Sequence, residues 1–131
     1  MAMLDQERAR LAFAHVQEVK NGNNEAGRRK YATMVHAMPA LLRSAGLSQA
    51  LHFVASRKDQ NQLKLLEHLA RQLARVDARI EDPATLLEAV RGAELRRYLH
   101  LTQEALACVT WYRRFVQGEL KIEAGESDDG D

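Results

Sequence analysis

The residues of this 131-residue chain that could hold a metal or move a proton are five histidines (His15, His36, His52, His68 and His100), one cysteine (Cys108) and eighteen carboxylates. Their spacing does not assemble such a site. No His-Glu-x-x-His or other close metal-ligand spacing occurs, and Cys108 has no second cysteine to share an ion with. Cys108 lies between Ala107 and Val109 on an apolar helical stretch, the setting of a buried, unreactive thiol. Asp77 and Glu81 are four apart, a spacing that could hold a divalent cation on one helix face and equally fits salt-bridged surface charge. Glycine-rich phosphate loops are absent, since Gly22, Gly27, Gly46, Gly92 and Gly118 stand singly near expected helix ends. The reading is a chain with no catalytic residue, no metal and no cofactor.

The basic residues carry more information. Lys64, His68, Arg71, Arg75 and Arg79 recur every three or four residues and would form one stripe about 20 Å long on a helix. A solvated face, partly neutralised by Glu67, accounts for it. So does a track for phosphates, and such a length spans three or more of them. Further pairs and triplets occur at Arg28-Arg29-Lys30, Arg57-Lys58, Arg96-Arg97 and Arg113-Arg114. Arginine's planar fork suits bidentate phosphate contacts. The overall balance of 19 bases to 18 acids hides an asymmetry. Residues 123–131 hold five of the acids and no base, leaving thirteen acids against nineteen bases, a net +6, on residues 1–122. Trp111 is followed by Tyr112, Arg113 and Arg114, which suits a partner's pocket, a stacked base or the chain's own core.

Helices must position all of these. Leu4, Leu11, Ala12, His15, Val16 and Val19 mark a first helix to about Lys20, stopped by Asn21-Gly22-Asn23-Asn24, with Asn24 placed to open the next. Residues 26–45 carry a second, in which Pro39 predicts a kink or break because its ring crowds the Val35 carbonyl and it lacks an amide. Gly46 ends that helix, and Leu47 to Val54 form a short third. Leu63, Leu66, Leu69, Leu73, Val76 and Ile80 predict a long fourth. Asp82-Pro83 caps and starts a short fifth, ended by Gly92. A last helix spans about 94–117, with Leu95, Tyr98, Leu99, Thr102, Leu106, Val109 and Phe115 on its inner side. The expected architecture is a compact all-α bundle of three long helices plus two short ones, one domain over residues 1–122. The acidic residues 123–131 are expected to be disordered.

Nine glycines and prolines among 131 residues argue against a strand-and-turn fold. A single cysteine excludes an intrachain disulfide framework and fits a reducing compartment. No apolar run approaches the ~20 residues of a bilayer span, so no membrane partner and a cytoplasmic location are expected.

Two segments, YATMVHAMPALLRSAGLSQALHF from Tyr31 to Phe53 and YLHLTQEALACVTWYRRF from Tyr98 to Phe115, complete the picture. Together with the helical layout they resemble the small all-helical subunit of the Cmr-type (type III-B) CRISPR effector complex. The likeness reaches to about Gly118 and excludes the acidic tail. It implies a non-catalytic subunit, copies of which stack as a minor filament beside the backbone filament that carries the guide RNA. It implies the backbone and large subunits, further copies of the chain, guide RNA and target RNA as partners. Guide–target pairing, not the subunit, would select sequence. From charge and spacing, Lys64, Arg71, Arg75 and Arg79 are the first phosphate candidates, followed by Arg28, Arg29, Lys30, Arg57 and Lys58. Trp111, Tyr112, Arg113 and Arg114 are the candidates for a protein interface. Tyr31, Pro39, Gly46, Leu47, Tyr98, Leu99 and Thr102 match the family pattern and read as fold residues. A helical protein adaptor that never touches RNA is the competing reading.

Overall fold

The computed structural model describes residues 2–125. Their helices are α1 (Ala2–Gly22), α2 (Glu25–Ala45), α3 (Leu47–Ala55), α4 (Gln60–Ala74), α5 (Pro83–Gly92) and α6 (Leu95–Phe115), and no strand occurs among the described residues. α6 runs on into a π-helical turn, Val116–Leu120, which Lys121 ends in the left-handed region at φ +61°. The all-α expectation holds, with six helices in place of three long and two short ones. Six of the nine residues expected as a disordered tail, 126–131, lie outside the described residues.

The local signals act as chemistry predicts. Asn24 accepts from the Gly27 amide, Asp59 from those of Asn61 and Gln62, and Asp82 forms a reciprocal capping box with Thr85 ahead of Pro83. Each occupies amides that a helix start leaves unpaired. α2 is unbroken, with Pro39 inside it. Gly46 ends α2 and opens α3 at φ +89°, a conformation that L side chains rarely adopt. The Tyr98 hydroxyl accepts from the Ser48 amide at 2.9 Å, so α6 secures the first turn of α3.

α1 and α6 run in the same direction, since Arg8 meets Glu104, His15 meets Tyr112 and Gln17 meets Glu119. α2 and α4 complete the core, and α3 and α5 pack at one end. Val16, Val35, Met38, Leu65, Leu69, Leu73 and Leu101 are fully or almost fully buried. Each such side chain contributes about 2 kcal/mol.

Two expectations fail for stated physical reasons. The fourth helix stops at Ala74, and Val76 and Ile80 pack from a looser segment. Val76 N–H turns to Leu73 O, and the Asp77 carboxylate takes the Arg79 amide at 3.1 Å. That side-chain acceptor replaces the helical carbonyl. Asp77 and Glu81 are therefore not one turn apart on a helix. On α6, Leu95 and Leu99 face outward, 71% and 52% exposed. The buried face is set by Leu101, Ala105, Cys108 and Tyr112. Leu99 lies two residues from Leu101, about 200° around the helix.

Candidate nucleic-acid interface

The polar residues of the fourth helix separate into an inner and an outer set. Lys64 lies on the outer side, with Nζ 3.5 Å from Glu18 and 3.6 Å from Glu67. Arg71 is exposed and borders a groove of about 520 Å³ between α1, α4 and the start of α5. His68 is buried. Arg75, expected beside Arg71 on the same track, turns inward: it donates to Gln72 Oε1 at 2.6 Å and to Glu104 Oε2 at 2.9 Å. Arg79 lies beyond the helix end, against Asp77. The structure therefore forms no continuous five-residue stripe.

The second set of bases is partly gathered. Gln62 accepts from Arg57 Nε at 2.9 Å and donates to the Lys30 carbonyl at 3.2 Å, joining the start of α4 to α2. Arg57 also lies over the Phe53 ring, and Lys58 beside it is exposed. Arg28 is otherwise engaged, donating through Nε and Nη2 to the Lys20 carbonyl at the end of α1. That cation at a helix C-terminus occupies an orphan carbonyl. Arg29 pairs with Glu25 one turn earlier.

Of the expected interface residues, Trp111 is half-buried, donates from Nε1 to Asp5 at 3.0 Å and stacks with Phe115. Arg114 lies over its ring, and Phe13 meets Phe115 edge-on. Arg113 is partly exposed with its Nε buried. Tyr112 is a correction: it is wholly buried and cannot meet a partner in this conformation.

Tyr112 belongs to a polar layer that spacing did not reveal. His15 from α1 and His68 from α4 stack with ring centres 3.9 Å apart and their planes nearly parallel. Gln72 donates to the Tyr112 oxygen, which also lies 2.6 Å from His15 Nδ1 in a hydrogen bond. Tyr31 from α2 bonds His68 Nδ1 at 2.7 Å. Burial pushes His15 down to about 4 and His68 to about 2, so both are neutral at pH 7. Burial raises Cys108 to about 12, the inert thiol expected. Glu104 is also buried, and hydrogen bonding from Arg8, at 2.7 and 2.8 Å, holds its carboxyl at about 2. The signal for this layer is one or two polar residues per helix at core-facing positions, which becomes legible only once the helices are paired.

Among the described residues no group of three or more His, Cys, Asp or Glu could hold a metal ion, and no helix is long and apolar enough to cross a membrane. What the surface offers is charge, in separate basic groups.

Comparison with known proteins fits this all-helical body. A solved structure, a CRISPR-associated Cmr5 family protein from Thermus thermophilus, is similar with a TM-score of 0.78 and 41% identity over 88% of this chain and 95% of that one. The CRISPR system Cmr subunit Cmr5 of Thermus thermophilus is 42% identical over 113 residues, 86% of this chain and 92% of that protein. The family model for the CRISPR-associated protein Cas_Cmr5 matches residues 4–119, all six helices and nearly all of the π-helical turn. The chain belongs to the Cmr5 family of CRISPR-associated proteins.

Proposed function

We propose that this chain is a non-catalytic subunit of a CRISPR RNA-guided effector complex that stacks with further copies of itself and lines the groove holding guide and target RNA. The family match over residues 4–119 carries this reading. The surface supports it electrostatically. Lys64, Arg71 and Arg79, with Lys30, Arg57 and Lys58 near the start of α4, supply positive charge. Arg75 contributes from behind, fixing the end of α4 through Gln72 and Glu104. The bases neutralise phosphate, while pairing between guide and target selects sequence. The backbone and large subunits are the protein partners. The isolated chain then binds RNA weakly, with a Kd of about 10⁻⁴ to 10⁻⁶ M that rises steeply with salt.

One observation favours a second reading, a protein adaptor without RNA contact. Phe13, Phe115, Trp111 and Arg114 form an aromatic and cationic patch across α1 and α6. Aromatic and arginine anchors are common at the centre of protein interfaces.

Gentle capture of the tagged protein from its native host separates the two readings. Co-purifying effector subunits together with short RNAs that crosslink to this chain support the groove-lining role. Co-purifying subunits with crosslinks to protein alone leave the adaptor. A lone chain with neither partner removes both.

A further inference from the structure

Where the α4–α5 connection passes the start of α6, a recess of about 550 Å³ opens among Asp77, Arg79, Glu94, Arg96, Arg97 and His100. Asp77 is at its centre, its side chain only 8% exposed. Its Oδ1 accepts from Nε of Arg79 at 3.2 Å, and its Oδ2 accepts from Nε of Arg97. Burial on its own would raise this carboxyl, but the hydrogen bonds from Arg97 and Arg79 outweigh it and hold it low. Asp77 is thus ionised across the neutral range.

Both guanidiniums are held at Nε, the nitrogen nearest the chain. Their terminal nitrogens have no hydrogen-bond partner among the described residues; the Arg79 side chain is 72% exposed and that of Arg97 19%. Each terminal nitrogen carries two donors in a fixed plane, the geometry that a phosphate's oxygens match. One carboxylate holds both, which gathers the two guanidiniums at the same recess. Glu94 is occupied as the cap of α6, accepting from the Arg96 amide. Among the arginines and carboxylates lining the recess, three of the former against two of the latter leave one net positive charge, which suits a monoanion.

We infer that this recess binds a single phosphodiester of an RNA strand, with Asp77 positioning Arg79 and Arg97 around it. This rests on the RNA-contact reading above and adds Asp77, Arg96 and Arg97, which lie away from the outer face of α4. A free phosphate shares the chemistry, and the test separates the two sources.

The experiment follows the arginine Nε–H and backbone amide resonances of the full chain during titration. The probes are a single-stranded RNA dodecamer and, separately, inorganic phosphate at constant ionic strength. The expected result is that RNA shifts Arg79, Arg97 and residues 94–100, while phosphate does so only at far higher concentration. Arg97→Lys keeps the charge and loses the fork, and should weaken RNA binding about three- to ten-fold. Asp77→Asn makes the recess more positive, so charge alone requires tighter binding, whereas positioning requires weaker binding. Thermal melts confirm that each variant is folded, and Arg97→Lys carries the test if Asp77→Asn is not. Tighter binding by Asp77→Asn together with unchanged binding by Arg97→Lys overturns the inference. RNA shifts confined to Lys64 and Arg71 overturn it while leaving the RNA reading intact. No RNA-dependent shift anywhere, with no crosslink in the assembled complex, overturns both. Saturation by phosphate with no response to RNA reassigns the recess to a small free anion and overturns the polymer as its source.

Discussion

Two places in this molecule use the same chemical unit, one carboxylate between two arginines, to different ends. Glu104 on α6 accepts Nε and Nη2 of Arg8 from α1 and Nη2 of Arg75 at the end of α4. Arg75 spends its remaining reach on Gln72. Nε and Nη2 of both arginines donate internally, Arg75 Nη1 is buried without a hydrogen-bond partner, and three helices are joined where Glu104 is 3% exposed. Asp77 also holds two arginines, yet only through Nε, and while Arg97 is 19% exposed, like Arg75, Arg79 is 72% exposed. The interior unit is closed and ties helices together, while the rim unit leaves its donors for something outside. Burial and completeness of pairing, not composition, decide which role such a triplet takes.

Breaking the interior unit should have the largest effect. Glu104→Ala leaves Arg75 without a carboxylate beside the core and Arg8 with Asp5 alone, and should cost about 3–5 kcal/mol in urea unfolding. The RNA affinity of the folded fraction should stay near that of the unaltered chain. A loss under about 1 kcal/mol would show that Arg8 and Arg75 rehydrate freely.

Acid tests the adjoining His15–His68 layer. Both rings have folded pKa values below the usual 6.5, so below that pH the unfolded chain binds protons that the folded chain does not. Stability is full above about pH 6.5 and falls as pH drops, by about 2 kcal/mol per ring at pH 5. Urea midpoints from pH 7.5 to 5 check this, and a flat profile would mean that the rings protonate in place. Of the charged groups facing the rings, Glu18 favours the protonated form of His15, while Lys64 and Arg71 oppose it in both. Tyr31 and Tyr112, raised by burial, stay protonated throughout.

Asp77→Asn should cost less than about 1 kcal/mol, because one of its partners is solvent-screened. A cost matching that of Glu104→Ala would erase the contrast between the two units. The smallest stability change belongs to Lys64→Ala with Arg71→Ala, within about 0.5 kcal/mol. The same pair should lower the slope of log binding constant against log salt by about 0.7 per contact removed. An unchanged slope would make the outer face of α4 merely solvated.

Capping and stop signals were readable residue by residue. Asn24, Gly46 and Asp82-Pro83 act through neighbours at most four positions away, so their outcome is encoded locally. Thr102 likewise bonds the Tyr98 carbonyl one turn back, as its position on a helix implies. The end of α4 was not readable, because Val76 and Ile80 keep the apolar period while Asp77 removes the helical partner of Arg79. Leu95 and Leu99 misled for a related reason: they are apolar at helical spacing, on the side of α6 that no other helix covers.

The sequence by itself determined an all-helical chain and where most of its helices start and stop. It also contained the two segments by which the family is recognised. Only the tertiary structure decided which polar residues are internal. Periodicity states that Lys64, His68, Arg71 and Arg75 share a side of one helix, but it does not state what lies opposite. Glu104 is 29 positions from Arg75 and 96 from Arg8, and His68 is 37 from Tyr31. A charged or titratable side chain turns inward only where such a distant partner offsets its lost hydration. That partner exists only once the helices have packed.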